Sequence, residues 1–189
     1  MLSVIIATEG VEHSVVATLA PLVPGSAAGV VREVLLVDRS DSGVIERVAD
    51  VSGCRYLRFA GTRAAAFAAG AGEARAPWLM FLHAGAVLDH GWIDETAQFV
   101  QQVSNSGQPR AGIFRLARSP YAEIRLRDRL RSMAGMLAGP SADHGLLIGR
   151  AHYHALGGHR PDDVRSEARL LRRLGRSSRI LLRSRIIVA

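Results

Sequence analysis

A polar turn directly after an apolar run is the first place in this sequence where chemistry is expected. Residues 78–82 are continuously apolar, and the turn His83-Ala84-Gly85 ends the run abruptly. A run of this length bounded by turn residues is typical of a central strand covered on both faces. In open α/β sheets, ligands bind just beyond the carboxyl ends of such strands. The turn is therefore a candidate ligand site, although the pattern also fits a strand and turn with no further role.

Two earlier predicted strands also end in polar residues. Residues 3–6 are followed by Thr8 and Glu9, and residues 32–37 run straight into Asp38. If the strands are parallel and adjacent, their polar ends gather at one edge of the sheet. The serine-rich segment after residue 38 also fits a turn or a helix N-cap, and that structural role remains open for its acidic residues.

The elements that must position these ends alternate regularly in the first half of the chain. Strand, helix, strand and helix in turn predict an α/β fold with a doubly wound, mainly parallel sheet and helices on both faces. The predicted strands are 3–6, 32–37, 53–59 and 78–82, and the predicted helices are 11–22 (ended by Pro21 and Pro24), 44–51, 62–76 and 92–103.

The second half is less regular but continues the same kind of fold. Residues 124–137 form an arginine-rich amphipathic pattern that predicts a helix. The other predicted elements are strands 112–116, 145–148 and 180–188, helices 151–156 and 165–174, and loops 104–109 and 139–144. No repeat or linker interrupts the chain, so a single domain over residues 1–189 is expected.

Composition narrows the classes of partner. The net charge is +7, and all 24 basic residues are arginine. An arginine excess suits anionic partners such as nucleotide diphosphates or lipid headgroups, but it also fits solvated helix faces. Aromatic residues make up 5% and do not interleave with the basic runs, so nucleic acid is not expected as a partner.

The single cysteine, Cys54, and the absence of an apolar leader or spanning segment predict a cytoplasmic protein, with peripheral attachment at the inner membrane as the alternative.

Six segments, in order, resemble the motifs of family 2 glycosyltransferases with the GT-A fold, especially the small bacterial type. SVIIATEG is similar to SVIIPTxNE, and EVLLVDRSDSG is similar to EVIVVDGGSxDGT. TRAAAFAAG resembles GRAxQxNxG, and WLMFLHAGAVLDHGW resembles WLLFLHADTxLPxGW. ADHGLLI resembles the GDQxxFV loop and strand, and ALGG follows it. The resemblance covers nearly the whole chain and implies transfer of a sugar from a nucleotide diphosphate sugar to an acceptor hydroxyl.

The resemblance also implies roles for particular residues. Thr8, Glu9 and Asp38 take the positions that hold the nucleoside, where a carboxylate accepts hydrogen bonds from base N–H groups or ribose hydroxyls. Arg63 matches the arginine of GRA and is expected to pair with a phosphate. His83 belongs to the same nucleotide-binding group.

The later motifs of the family imply the residues that contact the acceptor. Asp143 and His144 match the GDQ loop and are expected to contact the acceptor or the diphosphate. The family's catalytic base, which takes the proton of the acceptor hydroxyl, falls on either Asp163 or Glu167, because the alignment there is ambiguous. A helix start is the structural alternative for Glu167.

The chain departs from the family pattern where the family binds its metal. The family's last Asp of HAD or DxD, a ligand of Mg²⁺ or Mn²⁺, falls on Gly85. No metal ligand is therefore assigned, and a metal would need a substitute ligand, for which Asp89 is the nearest carboxylate. The Gln and Asn of GRAxQxNxG are Ala66 and Ala68. An inactive homologue that binds a nucleotide, a lipid headgroup or a protein is thus the alternative function. A peripheral membrane module that uses helix 124–137 is a weaker one.

Overall fold

The computed structural model describes residues 1–118, 145–161 and 166–188. Within these ranges an eight-stranded sheet runs through the molecule in the order β3-β2-β1-β4-β7-β6-β8-β5. The strands are β1 (Leu2–Thr8), β2 (Val31–Asp38), β3 (Arg55–Arg58), β4 (Trp78–His83), β5 (Ala86–Leu88), β6 (Ala111–Arg118), β7 (Leu146–Gly149) and β8 (Arg179–Val188). The helices are α1 (Glu12–Leu19), α2 (Val23–Ala27), α3 (Val44–Ser52), α4 (Arg63–Glu73), α5 (Trp92–Ser106), α6 (Arg150–Ala155) and α7 (Ser166–Leu174).

The predicted α/β fold with a doubly wound sheet is confirmed, and the sheet is mixed rather than uniformly parallel. Strands β3, β2, β1 and β4 are all parallel neighbours. Beyond them β7 is antiparallel to both β4 and β6, whereas β6 and β8 are parallel. The parallel half therefore brings four carboxyl ends to one edge, which is the arrangement that a ligand site between strands needs.

Helices cover both faces of the sheet, as the continuous apolar strands require. One core cluster joins the sheet to α1, α3 and α5, through Val15, Ile45 and Phe99. The other joins it to α4, α6 and α7, through Phe67, Tyr153 and Leu170. Every residue of β1 is buried, which places that strand in the middle of the molecule.

Helix α4 sits very close to the sheet because of one glycine. A Cβ on Gly70 would lie 2.5 Å from Cγ2 of Ile5 in β1, so no larger residue fits without a shift. The close approach fixes α4 against the parallel strands. Its first residue, Arg63, follows the carboxyl end of β3 and is thus held at the edge where the strands end.

Several elements differ from the sequence-based expectation, and α4 for example ends at Glu73 rather than at residue 76. The helix predicted to stop near Pro21 and Pro24 continues through a 3₁₀ turn, Ala20–Leu22, into α2. Each proline lies at the first or second position of its new helical segment, where the missing N–H is not needed. Strand β5 was not predicted because three residues give too short a pattern. Helix α5 extends to Ser106, so the first part of the predicted loop 104–109 is helical.

Several predictions lie outside the described residues. These are the amphipathic helix 124–137, the loop 139–144 with Asp143 and His144, and the candidate base Asp163. Within the described ranges, no helix combines the length and the apolar character that crossing a bilayer demands.

Candidate functional site

The polar ends of three adjacent parallel strands meet at one edge of the sheet. Thr8 of β1 is in register with Asp38 of β2, and Ala7 is in register with His83 of β4. Backbone hydrogen bonds extend this register past the strands: Arg39 N–H donates to Thr8 O at 3.0 Å, and Ala84 N–H donates to Ala7 O at 3.2 Å. The structure thus brings together the strand ends that the sequence singled out.

Thr8 is buried at this edge with an unsatisfied hydroxyl. The residue is 1% exposed, and its Oγ1 has no hydrogen-bond partner among the described residues. Thr96 Oγ1 and His152 Nδ1 share that condition elsewhere in the fold, so the lone hydroxyl does not by itself define a site. Its position at the convergence of the strand ends is what makes it a candidate ligand contact.

The adjacent Glu9 is exposed and forms an ion pair with Arg39, with Oε1 and Nη1 2.6 Å apart. The same Arg39 donates through Nε to Gly61 O at 2.8 Å. These contacts tie the loop after β1 to the loop before α4. Because its side chain is 73% exposed, Glu9 remains accessible from solvent.

Asp38 is fully buried and bonds to its own turn. Its carboxylate accepts hydrogen bonds from Ser40 Oγ at 2.8 and 3.0 Å and from Ser40 N–H at 3.2 Å. Asp38 therefore has the structural role in its turn that the sequence left open. Its carboxylate can still accept a further hydrogen bond, because two oxygens can accept about four. Asp41 lies on the surface and pairs with Arg58.

Arg63 and Glu167, which the sequence placed in different roles, form one ion pair. Arg63 Nε and Nη2 donate to the two Glu167 oxygens at 2.8 and 3.2 Å. The Glu167 side chain is 12% exposed and that of Arg63 is 42% exposed. Next to them, Thr62 Oγ1 caps α4 at Ala65 N–H and donates to Pro161 O at 2.8 Å. The C-terminal part of the chain is thereby fastened to the start of α4.

Beneath this pair lies a packed group of rings. His83 lies 5.3 Å from Phe67 between ring centroids, and His159 lies 5.1 Å from Phe67 and 4.9 Å from Phe81. The Tyr153 hydroxyl accepts from His159 N–H at 2.9 Å and is 3.0 Å from His159 Nδ1. The hydroxyl has one proton and two lone pairs, so it can satisfy the His159 ring nitrogen in either tautomer.

Burial dominates the titration of this group. It lowers the pKa of His159 from 6.5 to about 3, with further lowering by electrostatic interactions with Arg173, His83 and Arg63. Burial also raises the pKa of Tyr153 to about 12. Both rings are therefore neutral near pH 7, and His159 supports the site as an uncharged wall.

The turn after β4 has a backbone geometry that calls for glycine at the family's metal position. Gly85 has φ +93°, and its N–H donates to Thr18 Oγ1 at 2.8 Å and Ser14 O at 2.9 Å. An aspartate in that conformation would be strained. These two hydrogen bonds bind the turn to α1, so Gly85 has a structural role in this turn.

The described residues near this turn do not fit a Mg²⁺ or Mn²⁺ site. Both ions prefer several oxygen ligands, and the turn offers only the imidazole of His83. Asp89, the substitute considered from sequence, instead accepts from Arg185 N–H at 2.9 Å in β8. No group of three or more His, Cys, Asp or Glu residues in the described ranges could hold a metal ion.

The two alanines of the α4 motif, Ala66 and Ala68, provide no polar contact. Ala66 is fully buried in the core cluster on the α4 face, and Ala68 is half-buried. A glutamine or asparagine contact to a ligand is absent at both positions. Sequence reasoning also missed two supporting residues, Ser40 and Thr18. The Asp38-x-Ser40 spacing is a local turn signal, whereas Thr18 gave none because its partner lies 67 residues away.

No protein-family model matches the chain, and no curated protein matches it. Solved structures do match. One is a mannosyltransferase from Pyrobaculum calidifontis in complex with GDP-Man and Mn²⁺, at TM-score 0.68 and 16% identity over 100% of this chain and 56% of that one. Another is S. aureus TarS 1-349 in complex with UDP, at TM-score 0.70 and 12% identity over 100% of this chain and 60% of that one.

The fold is that of the GT-A glycosyltransferases, as the sequence motifs predicted. A third structure, TarS 1-349 in complex with UDP-GlcNAc, matches at TM-score 0.64 and 12% identity, over 99% of this chain and 55% of that one. The chain spans just over half the length of these structures. At such identities the likeness establishes the fold, which these neighbours share while binding nucleotides or nucleotide sugars.

Proposed function

We propose that this protein is a family 2-like glycosyltransferase that binds a nucleotide diphosphate sugar and passes the sugar to an acceptor hydroxyl. The observation that carries the proposal is the convergence of Thr8, Asp38 and His83 at the carboxyl edge of a GT-A sheet. A neighbouring structure contains GDP-Man and another contains UDP-GlcNAc, which supports a nucleotide sugar as the class of donor.

The nucleoside would lie against β1 and β2. Asp38 would accept from base N–H or ribose hydroxyl groups, and the unsatisfied Thr8 hydroxyl and exposed Glu9 would complete the contacts. The diphosphate would extend toward Arg63 and His83. Arg63 commits Nε and Nη2 to Glu167, which leaves Nη1 to donate to a phosphate oxygen.

The proposed chemistry is a single displacement that inverts the anomeric carbon. The acceptor oxygen forms a bond to that carbon while the bond to the diphosphate oxygen breaks, and a carboxylate takes the hydroxyl proton. Glu167 already serves as the ion-pair partner of Arg63 through both oxygens, and taking a proton would remove the charge that holds this pair. We therefore assign the base to Asp163 first and to Glu167 second, with Asp143 and His144 on the acceptor or diphosphate side.

The experiment is calorimetric titration with UDP and GDP, each with and without Mn²⁺, beside uridine and guanosine. Arg63→Ala should weaken binding of the preferred nucleoside diphosphate roughly ten- to a hundredfold, because a hydrogen bond to a charged group is lost. Binding of the corresponding nucleoside should stay unchanged. Arg47→Ala, an exposed arginine on α3, is the matched control.

Removing Arg63 also leaves the Glu167 carboxylate unpaired, so a folding fault must be separated from a binding fault. The double variant Arg63→Ala/Glu167→Gln removes both charges of the pair and should show the same loss of diphosphate affinity. Unchanged UDP and GDP affinity in both variants would rule out Arg63 as the diphosphate contact. No binding of either nucleotide to the wild-type protein would contradict the proposal as a whole.

A second candidate function rests on the turn at Gly85. Its positive φ and its bonds to α1 favour an inactive homologue that keeps nucleotide binding and has lost the metal position. Binding of UDP or GDP without release of nucleotide from UDP- or GDP-sugars, tested with Mn²⁺ and a range of acceptors, would favour this alternative.

A further inference from the structure

The outer surface of β6 and β8 carries arginines that the proposed transfer reaction does not use. Strand β8 alternates regularly: Leu182, Ser184 and Ile186 are buried toward the α1, α3 and α5 face. The residues between them therefore point to the opposite face, where α7 packs. We call Arg115, Leu181, Arg183 and Arg185 on this face the basic strip.

The register of the two strands concentrates the charge. Arg115 of β6 is the direct partner of Arg185 of β8, so two like charges lie opposite each other on one face. Such a pair is unfavourable unless a counter-charge is near. Asp89 reaches only one of them, with its Oδ2 3.6 Å from Arg185 Nε. The strip thus carries repulsion that an external anion would relieve.

Little else in the described residues neutralises the strip. Arg115 and Arg183 are exposed and have no carboxylate within ion-pair distance in the described ranges. Glu95 interacts electrostatically with Arg183 and offsets part of its charge, and its two oxygens also accept the backbone N–H groups of Arg183 and Ser184, at 2.6 and 2.7 Å. Arg172 on α7, which packs on the same side of the sheet, and Arg176 in the turn after α7 are two more exposed arginines.

The strip also has an apolar component. Leu181 lies at one end of the strip, two positions before Arg183, and is 55% exposed. No aromatic residue is on the strip, so it lacks the stacking surface that single-stranded nucleic acid requires. Arginines beside an exposed leucine match an interface of anionic headgroups over acyl chains.

We propose that the basic strip docks the protein on a membrane surface that carries anionic lipid headgroups. The attachment is peripheral and electrostatic, with Leu181 adding a small apolar contact. It depends on β6, β8 and α7 and is independent of the nucleotide site. It would let a transferase act on an acceptor held at that surface, but the docking itself needs no catalysis.

The test is co-sedimentation of the full chain with vesicles of phosphatidylglycerol and phosphatidylcholine in equal parts, and with vesicles of phosphatidylcholine alone. The wild-type protein should bind only the anionic vesicles and should detach at high salt. Arg115→Gln/Arg183→Gln should lower the vesicle partition coefficient roughly twentyfold, because each arginine at an anionic surface is worth a severalfold gain in affinity.

The matched control is Arg32→Gln/Arg47→Gln, which removes the same charge from exposed positions on β2 and α3. It should keep most of the binding. Arg172→Gln/Arg176→Gln, on α7 and in the turn after it, should weaken binding in the same direction as the strip variant. It therefore tests the surface even if the strand variant misfolds, which thermal unfolding of each variant will reveal.

Leu181→Ser separates a membrane from a soluble polyanion. It should reduce vesicle binding severalfold while leaving binding to heparin and to poly(U) RNA unchanged. Three results would overturn the proposal: no binding to anionic vesicles, equal losses in the strip and control variants, or tighter binding to poly(U) than to vesicles with no effect of Leu181→Ser.

Discussion

Strand β1 carries one hydroxyl near each end, and the fold treats the two in opposite ways. Ser3 Oγ donates to Glu33 at 2.6 Å and accepts from Ala76 N–H at 2.9 Å. Thr8 Oγ1 has no partner among the described residues. Both residues are buried, at 0% and 1% exposure, so solvent does not account for the difference.

The contrast extends to the surroundings of each hydroxyl. At the amino end, the Glu33 carboxylate also accepts from Arg75 N–H at 2.7 Å and Arg55 Nη1 at 3.0 Å. At the carboxyl end, the Asp38 carboxylate accepts from Ser40 alone among the described residues. One edge of the sheet is closed by its own polar groups, whereas the other keeps acceptors and a donor that a ligand could use.

Breaking the network at the amino edge should have the largest effect on stability. Glu33→Ala leaves the Ser3 hydroxyl, the Arg75 N–H and part of Arg55 unpaired, and should lower the free energy of unfolding by about 3 kcal/mol. Glu73→Ala removes an exposed partner of Arg55 and should cost under about 1 kcal/mol. Both are measured by urea denaturation at pH 7.

The same network predicts a direction with pH. Burial alone would raise the pKa of Glu33, but hydrogen bonds from Ser3, Arg75 and Arg55 outweigh it and hold the pKa below its usual 4.5. Glu33 therefore stabilises the fold above pH 4.5, and this contribution is lost as the pH falls through the lowered value. If Glu33→Ala weakened nucleotide binding as much as Arg63→Ala, the two edges would not be separate in function.

A second loss of stability at acidic pH should come from His159, which is buried near the carboxyl edge of the sheet. His159 has a folded pKa of about 3 against 6.5 unfolded, so only the unfolded chain binds its proton between these values. The free energy of unfolding should fall with a slope of about 1.4 kcal/mol per pH unit as the pH drops below 6.5. About 2 kcal/mol should be lost by pH 5.

His159→Asn keeps an acceptor for the Tyr153 hydroxyl but does not titrate, so the slope between pH 6.5 and pH 5 should flatten by about one proton. His13→Asn, at an exposed position of α1, is the substitution control. Denaturation curves at several pH values measure both. An unchanged slope in His159→Asn would show that the buried ring takes up its proton without unfolding.

Much of this contrast was accessible from the sequence, because strands of the parallel half are apolar runs that stop at polar residues. The ends at Thr8, Asp38 and His83 could be predicted, since parallel strands share an edge. Strand β5 could not be predicted, because three residues are too few to show the alternation of apolar and polar residues that marks a strand. The course of the chain past Pro21 was also missed, since proline is tolerated at a helix start as well as after a helix end.

The contacts within the site were harder to predict than its place. Arg63 and Glu167 are separated by 104 positions, and no local pattern marks such a pair. Gly85 looked like the loss of an aspartate, but its positive φ depends on contacts to α1 that only the tertiary structure reveals. Residues fixed by neighbours in sequence were predictable, and those fixed by distant partners were not.

The smallest expected change in stability is also the sharpest test of the two hydroxyls. Thr8→Val replaces an unpaired buried hydroxyl with a methyl group of similar size, so the free energy of unfolding should stay constant or rise by up to about 1 kcal/mol. Ser3→Ala removes a hydroxyl with two partners and should lower it by about 1.5 kcal/mol. Urea denaturation of both variants gives the two signs directly.

Ligand affinity should change in the opposite order. Thr8→Val should weaken nucleoside binding roughly fivefold, because a donor and acceptor for the ribose or base is lost, whereas Ser3→Ala should leave it unchanged. Stability gained and affinity lost at the same residue would mean that the fold tolerates an unpaired hydroxyl there because the bound ligand satisfies it. If Thr8→Val instead destabilised the protein as much as Ser3→Ala, the Thr8 hydroxyl would already have a partner in the free protein, and the difference between the two edges would disappear.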